Sequence, residues 1–146
     1  MYNVPNVKVC LVKDGSYKMD QCPVIRTPDD VAAIMRPVVE LLAEEHSYAL
    51  LLNTKNRVNA IHEVSIGSLN AAIIHPREVF KAAILSNAAA VILVHNHPSG
   101  DSTPSPEDIS LTKKLVDAGK ILDIPVLDHV IVCPGRHHSL KEMGVM

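Results

Sequence analysis

Tryptophan is absent, and one phenylalanine and three tyrosines are the whole aromatic content of these 146 residues. A stacking platform for single-stranded nucleic acid needs exposed rings, so little here supports one, and the core has to be aliphatic. A basic excess is missing too. The net charge is −2, whereas duplex binders draw most of their affinity from Lys and Arg set against phosphates. The densest basic pair, Lys113-Lys114, falls beside Asp117 on a helical pattern and reads as a solvated face. Weak or no autonomous nucleic-acid binding is therefore expected. The three cysteines, Cys10, Cys22 and Cys133, form no Cys-x-x-Cys pair and are odd in number. That argues for a reducing compartment, with the thiols as small buried hydrophobes. No apolar run approaches the roughly 18 residues of a membrane span. The opening MYNVPNVKVCLVKD lacks the charged-then-apolar design of a secretory signal. A cytoplasmic protein with no membrane partner is expected.

What remains is ordinary globular material, 47% hydrophobic and 21% charged, at a length that suits one domain over residues 1–146. Residues 7–12 alternate apolar and polar and predict an edge strand. Thr27-Pro28-Asp29-Asp30 predicts a helix start. Val31, Ile34, Met35, Val38 and Leu42 follow at helical spacing, with a kink or restart expected at Pro37. Residues 47–53 predict a buried strand, Lys55-Asn56 a tight turn, and residues 57–66 the returning arm of a hairpin. On that arm Val58, Ala60, His62, Val64 and Ile66 should share one face, and Ile61, Glu63 and Ser65 the other.

His75-Pro76-Arg77-Glu78 opens a second helix, and residues 89–94 form a continuous apolar run suited to a central strand covered on both faces. Ser105-Pro106-Glu107-Asp108 starts a third helix with Leu111, Leu115, Ala118 and Leu122 as its stripe. Strands are expected at 125–132 and, shorter, at 137–140. This mixture of helices and strands predicts an α/β protein with a mixed central sheet flanked by helices.

The informative words follow the central run. His95-Asn96-His97 leaves a strand end with the two imidazoles two residues apart, hence on one side of an extended chain and able to converge on one ion. Such a pair is weak evidence alone. A turn-rich loop, Pro98 to Pro104, leads to Ser105, which would cap the next helix and put Asp108 in its first turn. There Asp108 has an ordinary role beside exposed amides and the helix dipole. Alternatively the loop folds the helix start over the strand end and makes Asp108 a third ligand. Two imidazoles and one carboxylate would leave a position for water, the arrangement of catalytic zinc.

The string His95-x-His97, seven residues, Ser105, two residues, Asp108 resembles the signature of the JAMM (JAB/MPN) metalloprotease superfamily. Gly67-Ser68-Leu69-Asn70, His75-Pro76-Arg77-Glu78-Val79-Phe80, His95-Asn96-His97-Pro98-Ser99-Gly100-Asp101 and Leu127-Asp128-His129-Val130-Ile131-Val132 resemble the RadC family within it. The likeness spans about residues 27–132, without the helix-hairpin-helix region of full-length RadC proteins, so the chain resembles a short form of the family. The resemblance implies a cytidine-deaminase-like three-layer α/β/α fold and Zn2+ held by His95, His97 and Asp108. It also implies Ser105 as oxyanion donor and Glu63 as the carboxylate that takes the proton of a metal-activated water. Glu63 on a strand also reads as a solvent-facing residue, with Glu78 and Glu107 as substitutes. His129 beside Asp128 reads either as a satisfied buried histidine or as one that orients a ligand. His75 suits a helix start and His137-His138 a surface.

Adjacent His-Asn-His is not an HNH nuclease, whose letters are spread along a ββα unit. The His-x-Glu and Pro-Cys-x-x-Cys of zinc deaminases are absent. Two functions follow as expectations: a zinc metallopeptidase acting on a peptide or isopeptide substrate, or a non-catalytic interaction module associated with DNA repair or mobile elements.

Overall fold

The computed structural model describes residues 1–21, 23–67 and 74–146. Among them the chain runs α1 (Pro28–Val39), β1 (His46–Leu52), β2 (Val58–Ile66), α2 (Pro76–Leu85), β3 (Ala90–Asn96), α3 (Pro106–Leu122), β4 (Val126–Cys133) and β5 (Arg136–Ser139). The strands make one mixed sheet in the order β2-β1-β3-β4-β5. The pair β3–β4 is parallel, and the other described pairs are antiparallel. None of the described helices is long and apolar enough to cross a membrane.

Helices cover both faces of the sheet, as expected. Val31, Met35 and Val39 of α1 pack with Leu50, Leu52, Ile92 and Val94 on one face. Val79, Phe80 and Ala83 of α2 and Leu115 of α3 pack with Leu51, Val91 and Leu93 on the other. Because both faces are sealed, every residue of β3 is buried, which is why that segment reads as one unbroken apolar run.

Local chemistry sets the element ends. The Asp30 carboxylate takes the amides of Arg26 and Thr27 at 2.8 and 2.9 Å and closes the N-terminus of α1. Between β1 and β2 the Asn53 side chain accepts the amides of Lys55 and Arg57 at 2.9 and 3.0 Å. Asn56 supplies the left-handed residue of that turn, with φ 57°.

Five expectations differ from the structure. Residues 7–12 form no strand, and Val7, Val9 and Leu11 are exposed. Their alternation is real, but β2 does not extend to pair with them: the upstream chain meets it through one bridge, Val24 to Arg57. Pro37 neither kinks nor restarts α1, because it sits in the last turn and the helix closes at Val39. The face assignment along β2 holds only in part. Register shifts opposite Ser47/Tyr48 and Leu51/Leu52 each insert a residue, and each insertion reverses the alternation. Val58 consequently joins Ile61 on the α1 face while Ala60 and Val64 stay on the other. Along α3 the buried line is Asp108, Thr112, Leu115 and Gly119, while Leu122 is exposed. Cys133 is buried as expected but Cys10 is exposed, and both are free thiols. Cys22 and the Ser68-Leu69-Asn70 motif lie outside the described residues.

Gly119 marks where α3 comes closest to the chain leading into β4. A Cβ there would stand 2.5 Å from the Ile124 carbonyl oxygen and 3.4 Å from the Phe80 ring. Backbone cannot move aside cheaply, so Gly119→Ala should lose about 1–3 kcal/mol as an overpacking change, against the slight gain that Ala brings to an open helix. Chemical denaturation checks it; a stabilised variant would show that the two segments are not held this close.

Candidate metal centre

The β3–α3–β4 crossover is a βαβ unit, so the C-terminal end of β3 and the N-terminus of α3 lie at the same end of the sheet, where such folds place their sites. His95 is the penultimate residue of β3 and His97 follows the strand. Alternation turns both toward α2 and α3. Ser105 caps α3: its Oγ accepts the Asp108 amide at 3.1 Å, and its own amide donates to Asp108 Oδ2 at 2.8 Å.

Asp108 thus fills both roles raised from the sequence. While capping the helix it faces the two imidazoles, with Oδ1 3.4 Å from His95 Nε2 and Oδ2 3.6 Å from His97 Nε2. The two Nε2 atoms are 2.8 Å apart. Among the described residues these three form a group whose ligand atoms could hold a metal ion. Ligands on bonds of 2.0–2.1 Å around a tetrahedral ion sit roughly 3.3 Å from each other, and the observed spacings bracket that value.

Hydrogen-bond polarity strengthens the fit. His97 Nδ1 lies 2.7 Å from the Asp101 carbonyl. A carbonyl only accepts, so Nδ1 carries the hydrogen and a neutral ring offers a lone pair at Nε2. The Asp108 carboxylate is also an acceptor. His95 and Asp108 are almost wholly buried, and buried acceptors crowded together need a cation among them. Without metal, a proton serves. The Asp108 carboxylate beside it raises the His97 pKa above its ordinary value against the opposing cost of desolvation, helped by the Asp101 carbonyl and the charge of Glu45. Burial pushes the Asp108 carboxyl up, but the neighbouring imidazoles of His95 and His97 outweigh it and hold the group well below the usual carboxylate range.

Behind His95 lies His129 of β4, buried, with its Nε2 2.7 Å from His95 Nδ1. Its Nδ1 lies 2.6 Å from Thr112 Oγ1. Desolvation drives the His129 pKa well below the ordinary value, and proximity to His95 adds to the effect. Asp128, its neighbour, faces elsewhere: it takes the His129 amide, the Ser139 hydroxyl and the Lys141 amide, fastening the C-terminal turn to β4.

Glu63 is not brought to this cluster. Its Oε2 is 3.1 Å from both His46 Nδ1 and the Tyr48 hydroxyl. Tyr48 pairs with Val94, whose side chain joins the α1-side core, and His95 as the next residue points to the opposite face. Burial first, then the Glu63 carboxylate, push the Tyr48 phenol above its ordinary pKa. Glu78 meets Lys81 and Arg77, exposed, in the first turn of α2, and Glu107 is exposed. His75 occupies the N-cap position of α2. His137 bonds Asp29, and His138 bonds Ser102.

A carboxylate that the sequence reading did not consider is that of Glu45, whose charge acts on His97. Asn96, between the two histidines, turns its amide to the other side of the sheet. There it donates to the Glu44 carbonyl at 3.0 Å and accepts the His46 amide at 2.7 Å. The two groups bracket Glu45, whose own carbonyl takes the Gly67 amide at 2.7 Å. Ser47 pairs with His95, and Glu45 lies two residues upstream of it, just before β1, where its charge reaches His97. A signal existed in Glu44-Glu45 just ahead of a strand, but it carries meaning only once β1 is known to lie against β3.

A mixed sheet between helical layers, with His-x-His at the end of a central strand and a carboxylate from the next helix, defines a domain of the JAB/MPN class. The chain belongs to the family of RadC-like JAB domains, which it matches over residues 25–145. It is 56% identical over 120 residues to a UPF0758 protein of Caldanaerobacter subterraneus subsp. tengcongensis, covering 82% of this chain and 52% of that protein. A UPF0758 protein of Desulforudis audaxviator is 52% identical over 123 residues, 84% of this chain and 54% of the relative. One from Methanococcoides burtonii is 57% identical over 120 residues, 82% and 52%. The chain spans about half the length of these relatives.

Proposed function

We propose that this domain is a zinc-dependent hydrolase of peptide or isopeptide bonds. The observation that carries the reading is the convergence of three acceptor groups, His95, His97 and Asp108, at one point, a donor set suited to zinc that leaves a fourth position for water or substrate. Zinc held there would supply Lewis acidity, polarising the scissile carbonyl and acidifying water toward neutral pH.

The chain's own residues divide the remaining work. Glu45, held between the two backbone groups that Asn96 grips, receives the proton of the attacking water and returns it to the leaving amine nitrogen. Ser105 accepts the Asp108 amide through its oxygen, which leaves its hydroxyl proton to donate to the oxyanion of the tetrahedral intermediate. Glu63 has a structural part, holding His46 and Tyr48.

The test is hydrolysis of a panel of peptides and lysine-linked isopeptides by zinc-loaded protein. Glu45→Gln should lower kcat about 10²–10⁴-fold, the range for a proton-transfer group, with zinc content unchanged, and Glu63→Gln should change it only a few-fold. The reverse ranking would return the proton-transfer role to Glu63. Zinc bound without turnover of any member of the panel would favour the non-catalytic interaction module.

A further inference from the structure

Two fixed backbone carbonyls decide which nitrogen of each histidine in this centre is bare. For His97 the Asp101 carbonyl acts directly. For His95 the control passes through two more residues.

The chain of contacts starts at the Asp108 main-chain carbonyl, which accepts the Thr112 hydroxyl at 2.6 Å. That donation uses the only hydrogen on Thr112 Oγ1. At its 2.6 Å contact with His129 Nδ1 the oxygen must therefore accept, and His129 Nδ1 carries a hydrogen. His129 is buried with Thr112 and His95 as its side-chain hydrogen-bond partners. A second proton on it would make an imidazolium with no carboxylate in contact, in a place that strongly opposes charge. Its Nε2 is then bare and accepts at 2.7 Å from His95 Nδ1. His95, donating through Nδ1, keeps an unprotonated Nε2, the atom that faces His97 and Asp108.

We propose that Thr112 and His129 form a polarised relay that sets the tautomer of His95 and so aims its lone pair into the metal centre, with the Asp108 main chain as the terminal acceptor. Both are positioning residues, since neither reaches the centre itself. The relay joins the carboxylate ligand to the imidazole ligand through α3 and β4. One peptide unit of the helix both presents the Asp108 side chain and orders the protons behind His95. Partners of this kind behind metal-ligating histidines are worth about 10–100-fold in metal affinity. The inference rests on the zinc reading for its purpose, but the proton order can be read in the metal-free chain.

The experiment is long-range ¹H–¹⁵N NMR of the imidazoles in the full 146-residue chain, metal-free, joined to zinc titration of Thr112→Val and Thr112→Ser. The relay requires Nδ1–H with a bare Nε2 on both His95 and His129 in the wild type. Thr112→Val, which keeps shape and removes the acceptor, should alter the His129 tautomer signals and weaken zinc binding about 10–100-fold. Thr112→Ser should restore both. The expected tautomers in a chain that takes up no zinc would uphold the relay while sinking the hydrolase reading. His95 found with its hydrogen on Nε2, or a Thr112→Val chain with wild-type tautomers and affinity, would overturn the relay. Because the wild-type spectrum alone reports the proton order, a Thr112→Val variant that fails to fold does not remove the test.

Discussion

Replacing Asp108 by Asn should cut zinc affinity by at least about a hundredfold. Binding energies of about 10–16 kcal/mol for four-ligand zinc sites correspond to roughly 3 kcal/mol per ligand, or two decades or more in affinity. Asn is chosen because Asp108 also accepts the Ser105 amide at 2.8 Å. The amide oxygen of Asn can keep that cap, so loss of metal would not be confused with loss of the helix start. The effect should be legible in stability as well. Free zinc at a thousand times its dissociation constant adds about 4 kcal/mol to the wild type, whereas at the same concentration the variant, a hundredfold weaker, gains only about 1.4 kcal/mol. Competition against a chromophoric chelator and thermal melts with and without zinc measure the two sides. Equal zinc content and equal zinc-dependent stabilisation in both proteins would remove Asp108 from the site.

Zinc affinity should also fall steeply with acidity. In the metal-free centre the neighbouring Asp108 carboxylate and the nearby charge of Glu45 raise the His97 pKa above its reference of 6.5. A raised pKa means that the proton is bound more tightly in the folded site than in open chain, and metal binding has to displace it. The sign follows. Above the raised value His97 is already bare and affinity is flat. Below it each unit of pH costs about tenfold for one proton displaced, so two units in the acid arm cost about a hundredfold. The same linkage requires zinc uptake on the acid side to release a proton, which calorimetry in buffers of different ionisation enthalpy detects. Affinity that stays level as the pH is carried well below 6 would show that no proton competes for these atoms. Removing the carboxylate should shift the acid arm downward, because Asp108→Asn deletes the chief cause of the raised pKa.

Much of the site was legible because its signals are local. His95-x-His97 at the end of an apolar run, then a turn-rich loop, then Ser-Pro-Glu-Asp, states a strand end and a capped helix start within fourteen residues, from His95 to Asp108. Period-two and period-3.6 patterns located the main helices and the strands of the sheet for the same reason. Where patterns failed, the cause was nonlocal. The alternation of residues 7–12 has no strand beside it to make it one. The faces of β2 were reversed by insertions that only pairing with β1 reveals. The polar line Asp108-Thr112 on α3 looks solvent-facing on a helical wheel, yet both residues are buried because His95 and His129 lie opposite.

The two carboxylates make the distinction plain. Asp108 could be raised as an alternative ligand beside its capping role, and assigned by likeness, because the chain segment that carries it to His95 is short. Glu63 was proposed by likeness, but whether a strand residue points toward β3's histidines depends on strand order and register.

By itself, then, the order of amino acids determined most of the elements and their caps, consequences of interactions between near neighbours in the chain, and raised His95, His97 and Asp108 as residues that could converge. Tertiary structure alone decided that Glu63 lies on the face away from His95, and that His129 and Thr112 stand behind it. A register shift of one residue turns a side chain through the sheet, and no local preference records which register the packed core will select.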